Sequence, residues 1–547
     1  MTGPSSDTDA LPLSGPASAG CAAFTAALLL LAMPGPAGGY TGWWPLVFIA
    51  LVPLLSALAR LRPSRGLCTG LLCGLLYNLG LLYWVAPVLQ RYGGIHMVVA
   101  VAALFVLALY MALYFGLFSL LITWLIARGE KKEAASAILL TAPVVWVGLD
   151  VLRGYLLTGF PWMDLGYALY RQPLLIQAAD LGGQHLLTFC IVLANGLIYW
   201  LFGRLCFPFF SVPAEKRYGA AAAGLVLLCG AGGYSVLRYR QVQQVVSGEG
   251  TAVMLSVAAV QGNIEQGEKW APPLKEETVN RYLALSGQVL AQEKKPELLV
   301  WPETALPFYP PREPLMARVR EFIQKEKVYL LTGAPYFTVA PEEEKKIAYY
   351  NSALLLNHSG KLEARYNKQH LVPFGEYVPL RDYLWFVRPL VELIGDFTPG
   401  ESVEPLEAGN LRAGVLICFE SAFPDIARRE TAAGANLLVN MTNDAWYGES
   451  SAPHHSWAMT VLRAVENRRG LVRAANTGIS GVVEPTGKIR QQTPLFTDEV
   501  IHDQLPLLNR QTVFVRGGYR FGSLCLALIP VLLILSAVRR SDRRKSG

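Results

Sequence analysis

Long apolar stretches fill roughly the first 240 residues and return once near the end, while the middle, about 240–515, alternates short apolar runs with charged segments. A bilayer core needs about 20 apolar residues per helix. Eight spans are predicted on that scale, at about 21–34, 44–60, 67–86, 97–127, 136–152, 181–203, 218–236 and 521–538, the first short and the fourth long. The first lacks a basic flank and is soon followed by a second, so it reads as a retained helix and not a cleaved signal peptide. The chain thus divides into a small, polar tail at 1–20, expected to be disordered, a seven-helix membrane domain at 21–237, a soluble domain at 238–515, a last span at 516–538 and a basic tail at 539–547.

In the soluble stretch, strand-like runs recur at 253–260, 298–301, 328–332, 353–356, 414–417 and 437–441, with helix-like segments at 276–292 and 315–327. Two runs are almost wholly apolar, as expected for strands covered on both faces. An α/β sandwich fits this order. Residues 383–394 are unusually apolar for a loop and read as a lid or membrane-dipping arm, with a buried core helix as the alternative.

Composition and charge sharpen the picture. Of 547 residues, 52% are hydrophobic and only 16% charged, too apolar for an ordinary soluble protein. Arg60, Arg62 and Arg65, then Arg128, Lys131 and Lys132, then Arg204, Lys216 and Arg217, and finally Arg539 to Lys545 follow alternate spans. By the positive-inside rule both termini face the cytoplasm and the soluble domain faces outside. The net charge of +7 is therefore a topology signal, and nucleic-acid binding is not expected. Asp150 and Arg153 are spaced to pair near the outer end of the fifth span; Asp180 and His185 open the sixth and are read as helix–helix hydrogen-bond partners.

Seven of the eight cysteines lie in or beside spans, and only Cys418 belongs to the soluble stretch. A lone thiol in a compartment that favours disulfides is either a small buried hydrophobe or a nucleophile. Its neighbours favour the second reading. Cys418 ends the run Gly414-Val415-Leu416-Ile417; Glu303 ends another run through Trp301-Pro302; Lys368 lies between them in Tyr366-Asn367-Lys368. A carboxylate takes the thiol proton, and an ammonium favours the thiolate and then the oxyanion of a tetrahedral intermediate, with the Phe419 N–H as a candidate second donor. His454 and His455 are adjacent and so do not share a helical face, which argues against zinc. No metal or organic cofactor is expected.

These stretches carry a resemblance. Trp301-Pro302-Glu303-Thr304-Ala305-Leu306-Pro307, the run from Asn367 through Leu371-Val372-Pro373-Phe374-Gly375-Glu376 to Pro379, and Ile417-Cys418-Phe419-Glu420 resemble the nitrilase (carbon–nitrogen hydrolase) superfamily. Val260-Gln261-Gly262-Asn263-Ile264 with Lys269-Trp270, and Asn443-Asp444-Ala445-Trp446-Tyr447-Gly448, are similar to its membrane-embedded branch, the apolipoprotein N-acyltransferases. The resemblance implies an αββα sandwich. It also implies a triad of Glu303 (base), Lys368 (oxyanion stabiliser) and Cys418 (nucleophile), supported by Glu376, Glu420 and Phe419, the last standing where the family commonly has tyrosine. Trp270 and Trp446 match pocket-lining tryptophans, and Trp162, in the loop Gly159-Phe160-Pro161-Trp162, is a further candidate pocket wall.

The implied reaction is a two-step acyl transfer. Cys418 takes the sn-1 acyl chain of a phospholipid as a thioester. The α-amine of an apolipoprotein's N-terminal diacylglyceryl-cysteine then receives it. The implied setting is a bacterial inner membrane with the catalytic domain in the periplasm, the enzyme acting as a monomer. The rival reading is a membrane-tethered amidase that passes the acyl group to water.

Overall fold

The computed structural model describes residues 13–128, 134–206, 218–247, 252–265, 272–339, 347–377 and 397–546. The predicted arm at 383–394 and Trp270 lie outside them. Among the described residues, six helices are long and apolar enough to cross a membrane: Gly15–Ala32, Met97–Arg128, Ala135–Thr158, Ala179–Phe202, Tyr218–Val246 and Gly518–Val538. A seventh span results if Pro63–Leu81 and Val85–Gly93, bent by 50° at their junction, count as one. The expected count of eight is not reached. The predicted span 44–60 is instead a short 3₁₀ turn, Trp44–Phe48, followed by a helix of one to two turns, Val52–Leu58. Pro45 and Pro53 stand within the first two positions of these pieces, and proline cannot continue a preceding helical turn. Along the long helices Val98, Val106, Leu227, Leu237 and Ile534 are largely exposed, a surface that suits lipid and not water.

The second half is a sandwich of two six-stranded sheets. The first contains β1 (Met254–Gln261), β2 (Leu298–Val300), β3 (Tyr329–Val339), β4 (Ile347–Leu356), β5 (Leu362–Asn367) and β12 (Glu499–Pro506), in the order β12-β1-β2-β3-β4-β5. The second contains β6 (Leu406–Ala408), β7 (Leu411–Ile417), β8 (Leu437–Thr442), β9 (Gly470–Ala475), β10 (Gly481–Val483) and β11 (Ile489–Gln492), in the order β11-β10-β9-β8-β7-β6. In each sheet three neighbouring strands run parallel, β1-β2-β3 and β7-β8-β9, and the flanking strands are antiparallel. The parallel strands β8 and β9 are buried at every position, because both faces are covered. Val257, Ala259, Val300, Leu331, Val415, Val439 and Val472 fill the space between the sheets.

Helices Pro272–Leu290 and Leu315–Glu326 cover the outer face of the first sheet, with Val279, Tyr282, Val319 and Ile323 packed near Val260, Leu299 and Leu330. Pro424–Ala432 and Ala452–Asn467 cover the second. In Ala452–Asn467 every residue except His454 is buried, because its far side meets the membrane helix Ala179–Cys206. This helix is therefore shared between the sandwich and the helical domain. Polar contacts lock the seam. Arg463 Nη2 donates to Tyr167 Oη at 2.8 Å, and the Gln184 N–H donates to Glu466 Oε1 at 2.9 Å. Asp180 Oδ2 accepts from Arg468 Nη2 at 2.9 Å and from Arg238 Nε at 2.8 Å. Asp180 is thus tied across the seam as well as to a neighbouring helix. Arg153 pairs with both Asp150 and Asp164, while His185 Nε2 lies 4.0 Å from Asp164 Oδ2.

Helix Pro424–Ala432 lies close on β7 because Gly414 has no side chain; a Cβ there would meet Glu430 Cβ at 3.0 Å. Glu430 is fully buried, and neither carboxyl oxygen has a hydrogen-bond partner among the described residues. Burial, then the nearby Glu420, push its carboxyl up to about 9. An unfolded glutamate titrates near 4.3, so folding takes up a proton between those values and stability falls as pH rises across that window. Glu430→Gln, neutral at every pH, is expected to raise the thermal midpoint of the detergent-solubilised protein by a few degrees at pH 8 and to leave it nearly unchanged at pH 4. Melts followed by intrinsic fluorescence at the two pH values check this; equal shifts at both would contradict the account.

Candidate active site

The chemistry gathers where strands end. Beyond β2 the ladder continues for one residue, with the Trp301 N–H on Leu331 O at 2.9 Å, before Pro302 breaks it. Glu303 follows, pressed against β3 at Gly333, where any Cβ would stand 2.6 Å from Glu303 Cα. Lys368 directly follows β5. Its backbone N–H bonds Asn351 O at 2.9 Å, and its carbonyl accepts from the Gly400 N–H at 2.8 Å. Its side chain is 1% exposed.

A buried ammonium demands counter-charges. Lys368 Nζ lies 2.9 Å from Glu376 Oε2 and 3.6 Å from Glu303 Oε1. The Asn351 side-chain amide on β4 donates to Glu303 Oε1 at 2.7 Å and to Glu376 Oε1 at 2.8 Å, holding the two carboxylates apart and in place. The Asn443 N–H fixes the other oxygen, Glu303 Oε2, at 2.9 Å. Burial alone would lower the Lys368 ammonium, but Glu376 and then Glu303 outweigh it and hold the group well above its ordinary value.

Cys418 follows β7 at φ +51°, a left-handed conformation uncommon for a side chain with a Cβ. The chain turns there from strand into the 3₁₀ turn Cys418–Ala422. Glu420 clamps this elbow. Its carboxyl accepts from the Ile417 N–H at 2.7 Å, from the Gln369 N–H at 2.6 Å, from the His370 N–H at 3.1 Å and from the Tyr366 hydroxyl at 2.9 Å. One side chain thereby ties the cysteine turn to the segment that carries Lys368. Burial pushes the Glu420 carboxyl up to about 7 against the opposing pull of these N–H donors.

Burial, then Glu303, push the Cys418 thiol up to about 12, and Lys368 only partly offsets them. The sequence reading has the ammonium favour a thiolate. In the structure Lys368 is already shared by two carboxylates, and burial favours the thiol form of Cys418.

The aromatic positions divide. Phe419 packs its ring 6.1 Å from both Trp162 and Phe160, which stack on each other at 5.6 Å. Trp162 is buried and donates from Nε1 to His455 Nδ1 at 3.1 Å. The loop after helix Ala134–Tyr155 therefore abuts the cysteine turn. Trp446 is half-buried and meets Tyr92 edge-on at 4.9 Å. His454 stacks on Tyr40, while His455 turns to Trp162 and to the Pro34 carbonyl.

Asn351 escaped the sequence reading, as did the side chains of Thr442 and Arg473. Their signal was polarity out of place: an asparagine and an arginine interrupt strands, where such residues are unfavourable without a specific partner.

The comparisons agree with this architecture. A family profile described as apolipoprotein N-acyltransferase N-terminal domain matches residues 25–197, and one described as carbon-nitrogen hydrolase matches residues 256–512. The apolipoprotein N-acyltransferase of Geobacter metallireducens is 40% identical over 522 residues, covering 95% of this chain and 95% of that protein. That of Azotobacter vinelandii is 33% identical over 512 residues, covering 92% and 93%. Among solved structures, Saccharomyces cerevisiae Nit3, a member of branch 10 of the nitrilase superfamily, aligns at 22% identity and a TM-score of 0.36, over 46% of this chain and 90% of its own. With a catalytic-type sandwich seated on apolar helices and near-complete coverage by these relatives, the chain belongs to the apolipoprotein N-acyltransferase family.

Proposed function

We propose that the enzyme transfers the sn-1 acyl chain of a phospholipid to the α-amine of a diacylglyceryl-cysteine at the N-terminus of an apolipoprotein, through a thioester on Cys418. The roles follow the charges. Glu303 takes the thiol proton as sulfur attacks the ester carbonyl. Lys368 faces the oxygen that becomes negative. The intermediate collapses, Glu303 returns the proton to the departing lysophospholipid alkoxide, and the acyl chain remains on sulfur. The amine of the lipopeptide then attacks the thioester, Glu303 accepts a proton from it, and Glu303 returns that proton to the released thiolate.

A thiol titrating near 12 is almost wholly protonated at neutral pH, so attack needs a base in place. Glu303, with both oxygens held by donors, is that base. Glu376 keeps Lys368 charged throughout and Glu420 holds the elbow in position.

The observation that favours a lipid acyl transferase over an amidase is the contact of Phe419 with Phe160 and Trp162. It sets the nucleophile turn against a loop of the helical domain, within reach of substrates confined to a leaflet. Two membrane-held substrates meet there at high effective concentration. Burial of Cys418 and Lys368 supports the same reading, since a thioester must be kept from water. With basic residues marking the cytoplasmic ends of the spans, we place the sandwich, about 238–515, on the periplasmic side of a bacterial inner membrane, working as a monomer.

Protein incubated with phospholipid alone is expected to gain one acyl mass on Cys418, removable by hydroxylamine, and to pass it to an added diacylated lipopeptide. Free fatty acid as the main product would instead favour the amidase-like reading. Cys418→Ala should abolish the adduct. Glu303→Gln and Lys368→Met should each slow its formation by about 100-fold or more, the usual scale for losing a base or an oxyanion donor.

The protonated thiol has its own signature. Alkylation of Cys418 by iodoacetamide, read by peptide mass spectrometry, should accelerate about tenfold per pH unit from pH 6 to 9 without levelling. A plateau below pH 8 would mean that a preformed thiolate, and not Glu303, activates the sulfur.

A further inference from the structure

The sulfur has a further polar neighbour besides Glu303 and Lys368. β7 and β8 run parallel with Ile417 beside Met441, so Cys418 and Thr442 leave the sheet side by side. β8 pairs in turn with β9, Asn440 beside Arg473. Asn440, Thr442 and Arg473 thus share one face, the one covered by helix Ala452–Asn467, where Arg473 Nη1 reaches Ser456 Oγ at 3.0 Å and Thr460 Oγ1 at 2.8 Å.

A buried chain of hydrogen bonds starts at the thiol. The Thr442 side chain stands beside Cys418 by strand register, close enough to favour its thiolate, and its hydroxyl donates to Asp444 Oδ1 at 2.8 Å. Asp444 Oδ2 accepts from Arg473 Nη2 at 2.7 Å. Arg473 is fixed further by Asn440 Oδ1 at 2.7 Å and by the Ile479 carbonyl at 3.0 Å. None of Thr442, Asp444 and Arg473 is more than 1% exposed. Gly478 keeps the space open, since any Cβ there would collide with the Asp444 carboxylate.

This is more than packing requires. A buried Arg–Asp pair with a full set of donors is costly to assemble, and it ends on one hydroxyl beside the nucleophile. While the Thr442 proton points to Asp444, its oxygen lone pair accepts the S–H of the resting thiol. Once the sulfur is ionised it becomes an acceptor. The Thr442 proton then needs only a rotation about its C–O bond to reach it, because Asp444 keeps Arg473 as partner.

We propose that Thr442 is a second hydrogen-bond partner of the Cys418 sulfur in catalysis, held by the positioning pair Asp444–Arg473 and donating to the thiolate as Glu303 removes its proton. The proposal rests on Cys418 being the nucleophile. No co-reactant enters: the thiol proton goes to Glu303, and the Thr442 proton is shared and never transferred. When the amine expels the sulfur, the same donor meets the departing thiolate.

The groups that face the sulfur explain why a neutral donor is used. Glu303 and Asp444 disfavour the thiolate and Lys368 favours it, and the buried Tyr447 phenol lies within range of its charge. A second cation would compete with Lys368 for Glu303 and weaken the base. A hydroxyl supports the anion without adding charge.

The test uses the full-length protein in detergent with phospholipid. Thr442→Val keeps the shape and removes the donor; it should slow single-turnover thioester formation about 10–100-fold, the range for losing a hydrogen bond to a charged group. It should also displace the pH–rate curve for alkylation of Cys418 to higher pH, while Thr442→Ser restores both. Wild-type thioester formation in Thr442→Val, or slowing with an unshifted alkylation curve, would overturn the proposal. Should Thr442→Val not fold, judged by its melting curve, Thr442→Ala with the same two readouts decides the matter. Cys418→Ala run in parallel separates the levels: an adduct on that variant refutes the nucleophile itself, whereas an inert Cys418→Ala beside a normal Thr442→Val refutes only the role of Thr442.

Discussion

An ammonium with almost no access to water has to be surrounded by negative charge, and the environment of Lys368 organises the rest of the site. Two carboxylates meet it, Glu376 at 2.9 Å and Glu303 at 3.6 Å. The unequal distances divide the labour. Glu376 is the close partner and sustains the charge, which leaves Glu303 less committed and able to receive a proton. Asn351 bridges both acids, so neither swings toward Lys368 at the other's expense. Removing one member of such a cluster leaves the others buried and uncompensated, typically a loss of about 3–5 kcal/mol. The cluster therefore shapes both the fold of the loops around it and the reaction they host.

The same economy governs the seam between the two halves. Helix Ala452–Asn467 belongs to the sandwich by sequence and packs on its second sheet, yet its other face lies against a membrane helix. A helix buried on both sides normally carries few charges. This one carries Arg463 and Glu466, and each finds a partner in the helical domain, Tyr167 and the Gln184 backbone. Arg468, just beyond it, binds Asp180. Polar groups that are satisfied only when the halves are docked fix one geometry, so the cysteine turn meets Phe160 and Trp162 in a constant register. The cysteine turn thus depends on the helical domain for its shape.

What the sequence revealed follows from what its residues had to do locally. Strands β1, β2, β7 and β8 are legible because continuous apolar runs have few alternatives in a doubly covered sheet. The motifs around Glu303, Lys368 and Cys418 are legible because each sits where a strand ends. Strand β9 was not, since Arg473 stands in the middle of Gly470–Ala475 and its burial is tolerable only with Asp444, Asn440 and Ser456 in place. Those partners come from β8, the turn after it and a neighbouring helix, which no local window contains. The predicted span 44–60 failed for the opposite reason: its apolar content is high, but Pro45 and Pro53 decide its helicity. Apolarity alone says that a segment avoids water, not that it crosses a bilayer.

The protonated state of the nucleophile also answers a problem raised by the lone cysteine. In the oxidising compartment implied by the charge pattern, a free thiolate is exposed to oxidation and disulfide exchange, both of which proceed through the anion. A thiol raised to about 12 presents almost none of it at rest. In the proposed mechanism, reactivity requires a carbonyl carbon over the sulfur with Glu303 taking the proton in the same step. On the proposed mechanism, the desolvation that makes the thiol a poor nucleophile in isolation is also what protects it, and the base, the ammonium and the Thr442 hydroxyl would restore nucleophilicity only once substrate is bound.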